Sequence, residues 1–306
     1  MKRLAFIAVL LFFVFALVVI GWTVAGLPPV RYVLRYGLHP RCKPTGQTKE
    51  IEGVRFIEIG PGIFRMGSDH AAEGGDWIGK ICQRVGLPWG DQPEPSDEMP
   101  VHWVEFPRGY WIATTEVTNA LYERFDPKHE RSDYGKGDHD PVMDVSWEDA
   151  KRYCAWLSEK AAHPIRLPTE AEWECACRGG SEEEFSFGDD EAELSNCAWY
   201  DENSEGRAHA VATKRPNLWG LFDLHGNAWE WCEDTYHESY DGAPADGTAW
   251  TEGGEEWEPG TPYRVFRGGC WYDPAENCRS AYRFRSLPAY RYWFLGFRPA
   301  FVPFED

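Results

Sequence analysis

The hydrophobic pattern opens with one long apolar run. After Lys2 and Arg3, Leu4 to Gly26 carries no charged side chain. A membrane-spanning helix needs about 20 apolar residues. A secretory signal has a shorter apolar region, about 7–15 residues, before a small-x-small cleavage site. The length favours an uncleaved signal anchor over residues 1–26, and "TVAG" leaves a cleaved signal peptide open. Lys2 and Arg3 place the N-terminus inside and the body outside, although Arg31, Arg35 and Arg41 on the far side weigh against that orientation. The expected arrangement is single-pass, with an extracytoplasmic body, periplasmic or extracellular. Residues 27–50 hold a proline pair, a short basic stretch and a polar tail without a core pattern, and read as a juxtamembrane linker.

From Ile51 the pattern becomes that of a globular body, expected over residues 51–306. "VRFIEIGPGIFRMGS" alternates and turns at Gly60-Pro61-Gly62, as a hairpin does. An acidic, glycine-rich stretch from Asp69 to Glu98 has neither period and reads as a surface insertion. "VHWVEF" at 101–106 resumes the strand pattern. Two helices are well marked. "SWEDAKRYCAWLSEKAA" starts at Ser146 with Asp149 three residues on, and Trp147, Ala150, Cys154, Leu157 and Ala161 fall on one face. "TEAEWECACRGG" has Thr169 as cap, Glu172 three residues on, and Gly179 as its stop. A shorter helix is expected after Thr118. From Cys197 onward, glycine, tryptophan and turn residues predict loops and short strands. The class is α+β, loop-rich, with short antiparallel strands and a few helices.

Composition narrows the function. Fifty acids against 31 bases give a net charge of −19, which argues against nucleic acid as a partner because phosphates demand a positive field. Sixteen tryptophans exclude a disordered acidic chain. Nine cysteines leave at least one thiol without an intramolecular partner in an oxidising compartment. The Cys175-Ala176-Cys177 spacing is a poor zinc signature.

Seven segments now line up in order: "FRMGS" (64–68), "TTEVTN" (114–119), "PVMDVSWEDAKRYCAWLS" (141–158), "RLPTEAEWECACRGG" (166–180), "NLWGLFDLHGNAWEWCED" (217–234), "RVFRGGCW" (264–271) and "LGFRPAF" (295–301). The series closely resembles the formylglycine-generating enzyme, or sulfatase-modifying factor, family over about residues 51–304. The resemblance implies that family's variant of the C-type lectin fold. It implies several possible jobs: copper- and oxygen-dependent oxidation of a sulfatase cysteine, iron-dependent ergothioneine-type synthesis, or ligand binding. A fold alone does not choose among them.

Carried over residue by residue, the catalytic signature is incomplete. The family's enzymes capture copper on two cysteines five residues apart, and soft thiolates suit Cu(I). Here Gly268-Gly269-Cys270 and Ala281-Tyr282-Arg283 match the flanking segments, and "WYDPAENCRS" between them holds a single cysteine, Cys278. Cys270 and Cys278 are the candidate catalytic pair if the chain is enzymatic, but they are eight apart. Phe294 stands where the family has a substrate-pocket asparagine. These departures make copper an unexpected cofactor. The iron-dependent option lacks its histidine-bearing helical domain, and His225 reads as a hydrogen-bonded structural histidine. The resemblance also implies calcium, through Asn196 and the Cys197 carbonyl at one site and through Asp223, the Gly226 carbonyl and Asn227 at the other; the plainer alternative is that Asp223 and Asn227 shape a turn. Neither family disulfide carries over, since the partners of Cys154 and Cys177 read Pro299 and Ser280.

The tail from Asn277 to Phe301 alternates Arg279, Arg283, Arg285, Arg291 and Arg298 with aromatics. Arg279, Arg283 and Arg298 are expected to satisfy carboxylates from neighbouring loops. Tyr272, Asp273, Tyr282, Phe284, Tyr290, Tyr292 and Phe294 resemble the variable, ligand-binding positions of retroelement-diversified lectin-fold proteins, with core packing as the alternative. The leading expectation is an anchored, exported domain that has lost the copper chemistry and binds a protein or peptide through its C-terminal face. A sulfatase-modifying oxidase using Cys270 and Cys278, a diversified receptor and a purely structural envelope component are the competing readings.

Overall fold

A computed structural model describes residues 41–69 and 97–302. The expected anchor, linker residues 27–40 and insertion residues 70–96 lie outside the described residues. The fold belongs to the compact unit that starts at Cys42.

The first strand, β1 (Pro44–Ile51), turns back into β2 (Val54–Ile59) with Ile51 opposite Val54. The two-residue turn, Glu52 and Gly53, has φ of 49° and 81°, the left-handed pair that a tight hairpin needs. The expected linker therefore ends as a strand. Most β1 side chains are exposed, so no core alternation marked it in the sequence. The expected hairpin at Gly60-Pro61-Gly62 is also corrected. β2 is flanked by β1 and by β5 (Tyr110–Ala113), so it has no free edge for β3 (Gly62–Met66). β3 pairs instead with β4 (His102–Phe106).

Three α-helices follow among the described residues. A short α1 (Asn119–Tyr122) is capped by Thr118. α2 (Trp147–Ala161) and α3 (Glu170–Arg178) both carry full capping boxes, Ser146 with Asp149 and Thr169 with Glu172. Gly179 ends α3 in the left-handed conformation. α2 buries one face, through Ala150, Tyr153, Cys154 and Leu157. α3 is buried on every side, including Glu170, Glu172 and Glu174.

The remaining strands are short: β6 (Trp229–Thr235), β7 (Glu256–Glu258), β8 (Thr261–Pro262), β9 (Arg264–Arg267), β10 (Arg283–Ser286), β11 (Leu295–Gly296) and β12 (Ala300–Phe301). One sheet runs β1-β2-β5-β12 and is antiparallel. The other runs β10-β9-β6-β11, and only its β6–β11 pairing is parallel. The C-terminal segment thus closes both sheets, β11 on one and β12 on the other. The largest core cluster sits among α2, β6 and the tail, with Trp229, Trp231, Phe266, Phe284, Phe294 and Phe297. A second gathers β2–β5 around α3.

Candidate functional site

The tail arginines are interior cations. Arg298 donates to both oxygens of Glu230 on β6, at 2.6 Å each, and to the carbonyls of Ala113 and Phe222. Arg283 makes a two-pronged pair with Glu170 at 2.7 and 2.8 Å. Arg267, fully buried on β9, pairs with Glu170 and Glu174 and donates to the carbonyls of Ser280 and Ala281. Arg279 grips Glu98 at 2.6 and 3.0 Å. The expectation of carboxylate partners holds. Their location is corrected: apart from Glu98 they sit on α3 and β6. Glu98 and Asp97, read as the end of a surface insertion, are buried. Asp97 accepts from the Tyr236 hydroxyl, and burial pushes its carboxyl up to about 7.

The loop after β9 carries the two candidate thiols. Gly268-Gly269 turns through φ of 106° and 72°. A Cβ on Gly269 would lie 2.7 Å from the Cys278 sulfur, so the turn needs glycine for closeness as well as for dihedral. Asp273 ties the loop together. Its carboxylate accepts from the Cys270 N–H at 2.7 Å and from the Asn277 amide at 2.9 Å. Burial lifts its carboxyl to about 7. Cys270 and Cys278 are both wholly buried. Cys270 belongs to the main core; Cys278 packs in a separate small cluster with Phe185, Leu194, Ala198, Tyr200 and Ala275. Burial first, and the Asp273 carboxylate second, hold both thiols well above their ordinary range. The two candidate thiols thus lie buried in different apolar clusters, and burial disfavours ionisation of each.

The expected binding positions separate into two groups. Tyr272 is 43% exposed and Tyr290 is half-buried. Asp273, Tyr282, Phe284, Tyr292 and Phe294 are buried, which corrects their reading as one exposed face. Phe284 packs edge-on to Trp229, Tyr292 stacks on Phe294 at 5.1 Å, and the Tyr292 hydroxyl meets Ser286 at 2.9 Å. What reaches the surface here is a different aromatic group. Tyr134, 41% exposed, and Tyr272 flank the half-buried Trp293, with Trp271 buried beneath. Ring centroids lie 4.8 Å apart for Tyr134–Trp293, 5.8 Å for Tyr272–Trp293 and 5.1 Å for Trp271–Trp293. Nothing around Tyr134 in "SDYGKGDHD" marks it; only the fold brings it beside a residue 159 positions later (293 minus 134).

Two of the expected calcium residues hold backbone N–H groups, while the second Asp223 carboxylate oxygen and one oxygen of the neighbouring Glu116 are buried without a hydrogen-bond partner among the described residues. Asp223 accepts from the Ala212 N–H at 2.7 Å, and Asn227 accepts from the His209 N–H at 3.0 Å while donating to Glu116. The Gly226 N–H meets the Gly268 carbonyl at 2.7 Å, and a Cβ at Gly226 would strike the Trp199 carbonyl at 2.3 Å. Asn196 is exposed on a separate 3-10 turn and donates to Glu193. Asp223, Gly226 and Asn227 lie in one turn, and Asn196 makes none of these contacts. Among the described residues no three His, Cys, Asp or Glu side chains gather as a metal site. His225 accepts from the Ser186 N–H through Nε2, so Nδ1 carries the proton and donates to the Cys278 carbonyl at 2.7 Å. Burial pushes this imidazole down to about 4 and keeps it neutral.

The comparisons with known proteins agree with this architecture. The family model for the sulfatase-modifying factor enzyme 1-like domain matches residues 43–301. The solved structure of PvdO from Pseudomonas aeruginosa superposes with a TM-score of 0.69 at 29% identity, covering 85% of this chain and 99% of that one. Treponema denticola variable protein 1 gives 0.67 at 26% identity, covering 85% and 100%. Among curated relatives, the serine/threonine-protein kinase Pkn1 of Chlamydia trachomatis is 30% identical over 67% of this chain and 35% of its own length. The formylglycine-generating enzyme of Streptomyces coelicolor is 34% identical over 62% of this chain and 60% of its own. The inactive C-alpha-formylglycine-generating enzyme 2 of Mus musculus is 29% identical over 58% and 48%. The chain thus spans about a third of the kinase and three fifths of the bacterial enzyme. With its fold and its ordered motifs, the chain belongs to the sulfatase-modifying factor enzyme 1-like family.

Proposed function

We propose that this chain is a membrane-anchored, extracytoplasmic binding module of its family that does not carry the cysteine-to-formylglycine chemistry. The observation that supports this reading most is the state of Cys270 and Cys278: both are sealed from solvent, in separate apolar clusters, with their thiols held neutral. A relative named inactive and a structural neighbour named a variable protein are consistent with a family member that works without that chemistry. The ligand is a peptide or protein segment, taken on the aromatic face of Tyr134, Tyr272 and Trp293. Aromatic rings with polar tips give large contact area at small entropic cost. The anchor rests on the uncharged run Leu4–Gly26.

The test is direct. Purified chain is titrated with Cu(I), then incubated with oxygen and a Cys-x-Pro-x-Arg peptide. The expected result is no peptide aldehyde. Turnover that disappears in Cys278→Ser overturns the binding-only reading and restores the oxidase. For the ligand, Tyr272→Ala and Trp293→Ala are expected to weaken capture of an enriched peptide from a displayed library by tenfold or so each (about 1.4 kcal/mol). Equal capture by wild type and both variants removes the aromatic face from the proposal.

A further inference from the structure

β6 ends at Thr235, and the chain continues through Tyr236 to His237. A strap, residues 250–255, lies along this end. The Thr235 N–H donates to the Trp250 carbonyl at 2.9 Å, and the Glu255 N–H to the Tyr236 carbonyl at 2.8 Å. The Trp250 N–H donates to the Asp234 carboxylate at 2.7 Å. The buried His237 ring closes the arrangement. It stacks on Trp250, with centroids 3.5 Å apart and planes 7° from parallel. Its Nδ1 lies 3.0 Å from the Thr235 carbonyl oxygen, and its Nε2 lies 3.0 Å from the Glu252 carbonyl oxygen.

A carbonyl oxygen only accepts, and a neutral imidazole has one N–H and one bare nitrogen. The neutral ring can serve one of these two carbonyls and must turn a lone pair toward the other. The imidazolium serves both. His225 is the opposite case: one of its nitrogens meets an N–H and the other a carbonyl, which suits a neutral ring. An imidazolium also gains from the indole face it lies against.

We infer that His237 is a proton-operated clasp, which when charged ties the end of β6 to the 250–255 strap and when neutral releases one of the two carbonyls. Thr235 is buried in β6, whereas Glu252 is exposed on the strap, so the strap is the side that moves. The strap leads into β7 and β8, where Trp257 is 56% exposed between Glu256 and Glu258. Loss of the proton therefore loosens the footing of an acidic, tryptophan-bearing hairpin. None of this depends on the binding role proposed above.

Other charges surround the clasp. Arg283, on β10, donates to the carbonyls of His237 and Asp97 and pairs with Glu170. Arg285 pairs with Glu255 at 2.9 Å, and Glu238 and Glu252 are exposed. Burial lifts the carboxyls of Asp97 and Asp234 to about 7, so both titrate close to where an imidazole does. The experiment must therefore read the ring itself and compare it with a variant that keeps both acids.

The full chain is labelled at its nine histidines and followed by NMR from about pH 5 to about pH 9, with His237→Gln identifying the ring. At about pH 6, His237 is expected to show two N–H protons, both sheltered from exchange with water. The second readout is cleavage within residues 252–258 by a glutamate-specific protease, at about pH 6 and about pH 8.5. Each rate is divided by that of an unfolded peptide of the same segment. The rise in relative cleavage with pH is expected to be roughly tenfold larger in wild type than in His237→Gln, where Asp97 and Asp234 remain but the clasp does not. A ring with a single sheltered N–H at about pH 5 overturns the proposal. So does the same rise in wild type and variant. Should the variant misfold, the wild-type spectrum decides alone, with the ring assigned through its contact with the Trp250 indole.

Discussion

Asp273 is the residue on which the loop between the two thiols depends, and its charge state has a measurable signature. Its folded value, about 7, lies above the ordinary 3.8. Between those values the folded chain holds a proton that the unfolded chain has released. The stability from this group is full below about pH 4 and is lost as pH rises through about 7. Asp273→Asn carries no such proton. The Asn277 amide, whose oxygen has no partner among the described residues, can turn to accept from the new side chain. The urea midpoint of wild type relative to Asp273→Asn should therefore fall between about pH 5 and about pH 8. A constant difference means that the carboxylate is ionised throughout. Arg298 offers a second test. Removing it in Arg298→Met leaves Glu230 charged in a dry core and should cost about 3–5 kcal/mol in urea unfolding. Adding Glu230→Gln should recover part of that loss, though not all, because Arg298 also serves the Ala113 and Phe222 carbonyls. If the double variant is no better than the single one, charge imbalance is not the cause. The need of the tail arginines for acids was legible in an acidic chain. Which acids they meet was not, because Glu170 and Glu174 look like ordinary helix-surface glutamates until α3 is seen to be buried.

At the scale of elements, the helices were legible because their stop and start signals are local. A capping box is four residues of sequence satisfying two backbone N–H groups, and both boxes form as read. Thr169 does more than Ser146, since its hydroxyl also donates to the Gly247 carbonyl and so holds the 246–250 loop on the helix end. Thr169→Ala should cost about 2 kcal/mol and Ser146→Ala about 1 kcal/mol, compared by urea denaturation. Equal losses would remove the loop contact from the account. Strand pairing was less legible. Alternation in "VRFIEIGPGIFRMGS" identified both strands, yet pairing is a competition for edges, and β1 and β5 already occupy the two edges of β2. β1 itself was hidden because an edge strand with exposed side chains has no apolar period to read.

For the whole molecule, the C-terminal tail is the closing piece: β10 and β11 complete one sheet, β12 the other, and its arginines neutralise the acids of α3 and β6. Deleting residues from Leu295 onward should therefore abolish cooperative unfolding; a shortened chain that still melts sharply would mean that the sheets close without β11 and β12. The anchored reading predicts that full-length chain stays with carbonate-washed membranes, and release into the wash would count against it. Family membership was written in the sequence, because seven ordered motifs each encode a local constraint of turn, cap or strand. The eight-residue separation of Cys270 and Cys278 was written there too. Tertiary structure alone decided which aromatics of the tail face solvent. Tyr282, Phe284, Tyr292 and Phe294 turn inward and Tyr272 outward, while Tyr134 arrives from a distant loop. Residue type sets what a side chain can do, but exposure is a property of what packs over it, and those neighbours come from elsewhere in the chain.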